Sequence, residues 1–252
     1  MSVSIAIVTK DEELNIRRTL ESVKWADEIV VVDSGSTDRT CDIAREFGAK
    51  VFSEEWKGFA AQKNSAIEKC TSDWVVSLDA DEELLPECSV EMRSIDTNPQ
   101  GSFNAYLIRR RNFFMNRWLK HGGAYPDSKV RFFKRSKAMF KERAVHEVME
   151  NEGTLGELKG DMNHYAYPTL TLFTEHMNRY STLGAEVVAA KGRTRFDVIN
   201  IVVTPVFRFI YNYVFRGAFL DGREGLLFHL YHSVYISWKY AKAWELGRMR
   251  KS

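Results

Sequence analysis

Apolar runs of strand length alternate with helical spacings through the first third of the chain. Val3–Thr9 is a short β-branched apolar run and predicts a buried strand. Asp11–Val23 places Leu14, Leu20 and Val23 at helical intervals behind acidic residues, the mark of a helix start. Glu28–Val32 predicts a second strand that runs into Asp33-Ser34-Gly35-Ser36-Thr37-Asp38. Thr37 or Asp38 can cap the next helix, which passes Ala44 and Phe47 and stops at Gly48. Lys50–Ser53, Phe59–Cys70 and Trp74–Leu78 then predict strand, helix and strand, and the last strand runs into Asp79-Ala80-Asp81-Glu82. This rhythm predicts right-handed βαβ units and a mostly parallel sheet.

Beyond Pro86 the pattern changes. Ala105–Arg110 and Lys129–Arg135 predict strands around a loop holding Gly122, Gly123 and Pro126, and a further strand is expected near His146–Met149. From Leu170 the chain reads as helix. Ile199–Phe215 is apolar over 17 residues but contains Arg208, which puts it at the lower limit for a membrane span. Leu226–Trp238 is a second apolar run, interrupted by His229 and His232. Tyr211, Tyr213, Tyr231, Tyr235, Trp238, Tyr240 and Trp244 are the amphipathic aromatics that suit a bilayer interface. The expectation is helices lying on one leaflet; the competing one is helices packed on the rest of the chain or on a second copy in a homo-oligomer.

The length of 252 residues suits one large α/β domain with an accessory segment. Hydrophobic residues at 44% and charged residues at 28% predict an ordered core. A net charge of +2 gives no case for nucleic acid, but the charge is unevenly placed. From Lys191 onward there are 11 Lys/Arg against 4 Asp/Glu, whereas the preceding residues are net negative. A basic end suits an anionic surface such as lipid headgroups, although a solvated helical tail would look the same. Cys41, Cys70 and Cys88 form neither a disulfide framework nor a zinc motif, which suits a reducing compartment. Val3–Val8 is too short for a signal core, so a cytoplasmic location is expected.

Ligands gather at the carboxyl ends of parallel strands. Three of the four early strands end there in Thr9-Lys10-Asp11, Asp33 and Asp79-Ala80-Asp81. One strand-terminal aspartate is commonly a helix cap; three such clusters on one edge are less easily explained that way. Asp79 and Asp81, two apart in an extended segment, can share a divalent ion with phosphate oxygens and water, and Mg²⁺ or Mn²⁺ prefers that oxygen shell. Asp33 can accept the imide N–H of a uracil or thymine ring. Lys63 can reach a diphosphate as a point charge, or simply be solvated. His164 stays open between a metal shell, an acceptor contact and a structural role.

Val3–Thr9, Asp11-Glu12-Glu13-Leu14-Asn15-Ile16, Asp27–Asp38, Lys63-Asn64 and Asp79–Glu82 together resemble the nucleotide-binding half of glycosyltransferase family 2. Pro126–Phe133, Val145-His146-Glu147, Lys191-Gly192-Arg193 and Gly217–Gly222 resemble the branch containing bacterial lipopolysaccharide inner-core β-1,4-glucosyltransferases. The resemblance implies an α/β GT-A fold, Rossmann-like, with a C-terminal helical, partly amphipathic segment. Residues 1–185 would be the catalytic domain, with a nucleotide-sugar half at 1–90 and an acceptor half at 91–185, and 186–252 the helical segment. Donor-binding residues would be Thr9, Asp11, Glu13, Asp33, Lys63 and Asp79, and the metal ligands Asp81 and Asp79. The implied reaction is inverting transfer of a hexose, glucose from UDP-glucose, to a lipopolysaccharide-core or other lipid-linked saccharide at the inner face of the membrane. Family members use a carboxylate base; this chain offers Val145-His146-Glu147, so Glu147 leads, with His146 and Asp127 as alternatives. A polyprenyl-phosphate acceptor and a nonenzymatic membrane-associated scaffold are the rival readings.

Overall fold

The structure, a computed structural model, describes residues 2–95, 103–141 and 148–249; His146 and Glu147 fall outside them. The strands are β1 (Val3–Thr9), β2 (Glu28–Asp33), β3 (Lys50–Ser53), β4 (Trp74–Asp79), β5 (Glu82–Leu84), β6 (Ala105–Phe114), β7 (Arg117–Trp118), β8 (Asp127–Lys134), β9 (Ala138–Lys141), β10 (Val148–Asn151) and β11 (Leu155–Tyr167). The helices are α1 (Ile16–Ser22), α2 (Thr40–Glu46), α3 (Phe59–Glu68), α4 (Pro86–Ser94), α5 (Leu170–Ala190), α6 (Thr204–Ile210) and α7 (Gly222–Met249). The chain forms two compact units, one of Met1–Arg110 with Asp127–Tyr165 and one of Arg111–Pro126 with Ala166–Ser252. The boundary expected at 185/186 lies inside α5.

In the first unit the strands of the early βαβ units lie parallel in the order β3-β2-β1-β4. Their registers pair Thr9 with Asp33 and Val8 with Asp79, so the carboxyl ends are level. The sheet then continues through β8, β6, β11 and β5, where the β4–β8, β8–β6 and β11–β5 pairs are antiparallel. It is therefore a mixed sheet and not a mostly parallel one. The hydrophobic pattern marks a strand as buried but carries no direction. Trp74, Phe132 and Tyr106 stack across β4, β8 and β6, with Trp74–Phe132 ring centroids 4.6 Å apart and Tyr106–Phe132 5.7 Å apart, which ties the two halves of the sheet.

Two local departures from the sequence expectation have clear causes. Helix α1 starts at Ile16 and not at Asp11. The backbone N–H groups of Asp11, Glu12 and Glu13 donate instead to Ser36 Oγ (2.8 Å), Thr40 Oγ1 (2.7 Å) and Asp38 Oδ2 (3.0 Å), and Asp11 takes a φ of 51°. Side chains of the β2–α2 loop thus outcompete the helical turn, and Leu14, expected to face the core, is 83% exposed. Strand β11 gave no sequence signal because glycines stand where its inward apolar residues would be. A Cβ on Gly156 would lie 2.7 Å from the Phe103 ring, and one on Gly160 would lie 2.4 Å from Cys88 Cα. The strand lies flush against α4 at the second position, where only glycine fits.

In the second unit, α5 and α7 pack around Phe114, Leu119, Phe173 and Met177, joined by Leu227, Phe228, Tyr231, Tyr235 and Trp238 of α7. The last three aromatics, expected at a bilayer interface, therefore serve this cluster. Between the long helices, Ile199–Val203 and Tyr211–Phe215 are π-helical turns flanking α6. Along them Ile199, Val202, Val203, Val206, Phe207, Ile210, Tyr211, Val214 and Phe215 are all between 44% and 76% exposed. That is a continuous apolar stripe of a size uncommon on a water-facing surface. Among the described residues no helix is long and apolar enough to cross a membrane.

At the amino ends of the parallel strands, buried Glu28 accepts hydrogen bonds from Ser4 Oγ (2.5 Å), Thr71 N (2.7 Å), Thr71 Oγ1 (3.0 Å) and Lys50 Nζ (2.7 Å). Burial works against its charge, but these donors outweigh burial and pull the carboxyl down to about 2. A depressed folded pKa means that the stabilisation is complete above the ordinary glutamate range and is lost as pH falls toward 2. Glu28→Gln should therefore cost about 2 kcal/mol in urea unfolding at pH 7, allowing for the solvent around Lys50. The gap from wild type should shrink at pH 3, whereas a gap of equal size at both values would contradict the assignment.

Candidate active site

The level strand ends bring Thr9, Asp33 and Asp79 to one edge of the sheet. Asp33 is buried, and its carboxylate accepts from Gly35 N (3.0 Å), from Ser36 N (3.0 Å) and from the Ser36 hydroxyl. These contacts fix its orientation. Asp11 Oδ1 accepts from Thr37 N (2.7 Å), and Glu13 Oε2 accepts from Arg39 N (3.1 Å), so both carboxylates brace the β2–α2 loop. Thr9 Oγ1 is buried with no hydrogen-bond partner among the described residues.

Between the two stands Glu12, which the sequence did not single out. Its Oε2 accepts from Asn15 Nδ2 (2.8 Å). Burial pushes the Glu12 carboxyl up to about 7, the Asn15 contact opposes that, and the charges of Asp81, Asp38 and Asp79 add to the rise. It lies in the negative field of the strand edge, and nothing in the run Asp11-Glu12-Glu13 tells which of three adjacent acids faces that way.

After β4 the chain turns through Ala80 and Asp81 into β5. Asp79 lies between two buried cations, with Lys63 Nζ at 2.8 Å from Oδ1 and Arg131 Nη2 at 2.7 Å from Oδ2. Arg131 Nη2 also donates to Glu82 Oε1 (2.5 Å), while Glu82 Oε2 accepts the Asp79 N–H (3.0 Å). One guanidinium nitrogen thus closes both ends of the turn that carries Asp81. The chain of charges continues from Glu82 to Arg110 (3.3 Å) and from Arg110 to Asp127 (2.6 Å). Burial disfavours the Asp79 charge, but Lys63 and Arg131 hold the carboxyl well below the usual range. Burial likewise opposes Asp127, and Arg110 and Lys129 draw it down to about 2, which makes it a poor proton acceptor near neutrality.

Asp81 has a different partner. Strand β11 pairs His164 with Glu82 in register and places His164 Nε2 3.4 Å from Asp81 Oδ2. The Asp81 carbonyl accepts the Tyr165 N–H (3.0 Å), and Thr19 Oγ1 donates to the Ala80 carbonyl (2.7 Å). Burial acts against the Asp81 charge, and His164 lowers the carboxyl in spite of it. The expected metal pair is thus differently partnered, Asp79 with two cations and Asp81 with an imidazole. The Asp81 carboxylate suits Mn²⁺ or Mg²⁺, whereas the His164 imidazole departs from the all-oxygen shell expected for them. Among the described residues no group of three His, Cys, Asp or Glu side chains is arranged to hold a metal alone.

The glycosyl transferase family 2 profile matches residues 4–146, more than half of the chain. The chain belongs to glycosyl transferase family 2. It is 30% identical over 236 residues to an uncharacterized glycosyltransferase of Rickettsia typhi, covering 89% of this chain and 80% of that one. It is 27% identical over 256 residues to the lipopolysaccharide core biosynthesis glycosyltransferase LpsC of Rhizobium meliloti, covering 97% and 93%. Among solved structures it is similar to residues 1–349 of S. aureus TarS in complex with UDP-GlcNAc, with a TM-score of 0.51 at 14% identity, covering 99% and 92%. That likeness places this family 2 member in the GT-A fold. The family match ends at residue 146, so β10, β11 and the helices from Leu170 onward lie outside it.

Within the family 2 fold, Arg131 is the residue that the sequence reading passed over. It lay in a strand as one basic residue among several, and only the β4–β8 pairing carries it to Asp79. Removing it would leave fully buried Glu82 with Arg110 as its remaining cation. Arg131→Gln should cost about 3–5 kcal/mol in chemical denaturation. Arg131→Lys should recover only part of this, because an ammonium cannot reproduce the planar fork. A Gln variant as stable as wild type would show that the turn closes without this bridge.

Proposed function

We propose that this enzyme transfers a hexose, glucose from UDP-glucose, with inversion onto a lipopolysaccharide-core or other lipid-linked saccharide. The observation that supports it is the level edge of Asp33, Asp79 and Asp81 with Lys63 and Arg131 buried behind it. This edge offers a carboxylate for a base and two cations for a diphosphate. Similarity to LpsC favours a core saccharide as acceptor over a polyprenyl phosphate.

Asp33, already oriented by Gly35 and Ser36, accepts the imide N–H of uracil. Lys63 and Arg131 exchange part of their pairing with Asp79 for diphosphate oxygens, so the donor meets charge that is in place before it binds. Asp81 and His164, with Asp79 beside them, would hold Mg²⁺ or Mn²⁺, whose chemistry when bound is to neutralise the departing diphosphate. The acceptor oxygen attacks the anomeric carbon opposite the diphosphate, and its proton passes to a base. Glu147 is assigned that role by its place in Val145-His146-Glu147, with His146 as the alternative; the low pKa of Asp127 disfavours it.

The same reading places the enzyme peripherally on the inner face of the cytoplasmic membrane. The support is the apolar stripe from Ile199 to Phe215. The charged residues between 193 and 220 are Arg193, Arg195, Arg208, Arg216 and Asp197, and Asp197 is held by Asn200. Apolar surface with a cationic border suits anionic lipid, and a second copy of the chain is the competing cover.

Two experiments test these statements. In a UDP-release assay with UDP-glucose, Asp81→Ala should lower turnover at least about 100-fold, and chelation should do the same to wild type. Glu147→Gln should lower transfer at unchanged UDP affinity. Full turnover of Asp81→Ala in chelator would refute the metal site. In flotation with phosphatidylglycerol vesicles, full-length protein should rise with the lipid, less so at high salt. The double variant Val203→Glu, Phe207→Glu should stay at the bottom. If wild type also stays down and sediments as a dimer, the stripe is a subunit interface.

A further inference from the structure

The second unit holds a histidine–carboxylate pair that the proposed chemistry does not use. Asp221, 2% exposed, ends the 3₁₀ turn Ala218–Asp221. Its Oδ2 accepts the backbone N–H groups of Lys120 (3.0 Å) and His121 (2.8 Å), and its Oδ1 lies 2.8 Å from His121 Nδ1. A carboxylate only accepts, so in the neutral ring Nδ1 carries the proton and Nε2 keeps its lone pair. The His121 side chain is 37% exposed, and Nε2 has no partner among the described residues.

The surroundings are built to hold that ring. Gly122 and Gly123 follow it with φ of 67° and 85°. A Cβ on Gly122 would lie 2.1 Å from His229 Nε2, and one on Gly123 would lie 2.2 Å from Arg216 Nη1. Gly122 N donates to the Arg216 carbonyl (3.0 Å), and a Cβ on Gly217 would lie 3.9 Å from His121 Cδ2. A Cβ on Gly225 would lie 2.3 Å from the Ala218 carbonyl oxygen, so α7 presses directly on the turn that bears Asp221. Arg216 is exposed, and no carboxylate pairs with its guanidinium among the described residues. The two backbone contacts alone would let Asp221 hold the loop. The third contact fixes the orientation of the half-exposed His121 ring, and the Arg216 guanidinium lies against Gly123, two residues further along the same loop.

We infer that His121 and Arg216 form a subsite for an anionic saccharide, deepening the sugar-transfer reading on which it rests by naming the class of acceptor. A sugar hydroxyl donates to His121 Nε2, and an oxyanion on the same molecule, phosphate or carboxylate, pairs with the Arg216 fork. Asp221 is the positioning residue, and the glycines let the segments approach closely enough to fix the ring.

The test is calorimetric titration of the full chain, without any donor, using deacylated lipopolysaccharide core oligosaccharide before and after phosphatase treatment. His121→Ala and Arg216→Ala should each weaken binding at least about tenfold, the loss expected for one charge-assisted or oriented hydrogen bond. UDP affinity and melting temperature should not change. His121→Gln, whose amide oxygen can accept in place of Nε2, should recover part of the affinity while the melting temperatures of His121→Ala and His121→Gln both match wild type; a merely structural role would instead lower the melting temperature of His121→Ala together with its affinity. Dephosphorylation that removes the Arg216 effect identifies phosphate as the oxyanion; persistence of the effect identifies a carboxylate. Wild-type affinity in both alanine variants, or no binding by wild type, overturns the subsite. A wild type that binds the oligosaccharide but releases no UDP from any sugar nucleotide would sink the transfer reading and leave the subsite standing.

Discussion

The bridge from Arg131 to Asp79 and Glu82 is the constraint on which the rest of the site depends. Two carboxylates, one buried and one half-buried, meet on a single guanidinium nitrogen at the point where the parallel strands give way to the antiparallel ones. Buried ions tolerate that position only when each has a partner. The alternation from Lys63 through Asp79, Arg131, Glu82 and Arg110 to Asp127 gives every member one. The sheet must therefore keep β4, β8 and β6 in one register. That register also stacks Trp74, Phe132 and Tyr106, so apolar packing and charge pairing select the same arrangement.

From this fixed turn, Asp81 gains a defined direction. Its backbone is tied to Tyr165 on one side, and its neighbour Ala80 to Thr19 on the other, before any ligand arrives. The β1–α1 loop is held in the same manner by Ser36, Asp38 and Thr40. A site braced this way has its carboxylates oriented before a nucleotide-sugar donor arrives. The raised pKa of Glu12 comes first from its burial, and the charges of Asp81, Asp38 and Asp79 add to it.

The second unit follows a different logic. Its long helices α5 and α7 share an aromatic cluster and leave the segment from Ile199 to Phe215 with one apolar face exposed among the described residues. The packing energy of the unit comes from the helix pair, so the exposed face is available for association. Within the same unit, the glycines at 122, 123 and 225 allow a loop, a 3₁₀ turn and a helix to meet around Asp221 and His121.

The sequence by itself determined the early βαβ units, the strand-end positions of Asp33, Asp79 and Asp81, the family, and the helical character of the chain after Leu170. These rest on local periodicity and local turn chemistry, which act over a few residues and leave a one-dimensional trace. Tertiary structure alone decided the mixed direction of the sheet, the late start of α1, the strand Leu155–Tyr167 and the partners Arg131 and His164. In each case the deciding contact joins residues far apart in the chain. Ser36, Asp38 and Thr40 take the N–H groups that a helix would have used. Gly156 and Gly160 hide a strand because their value lies in a close approach to Phe103 and Cys88, which no pattern in their own neighbourhood records. Arg131 looks ordinary in sequence, and His164 stays open there between three roles, because a charge acquires its role only from what the fold sets beside it.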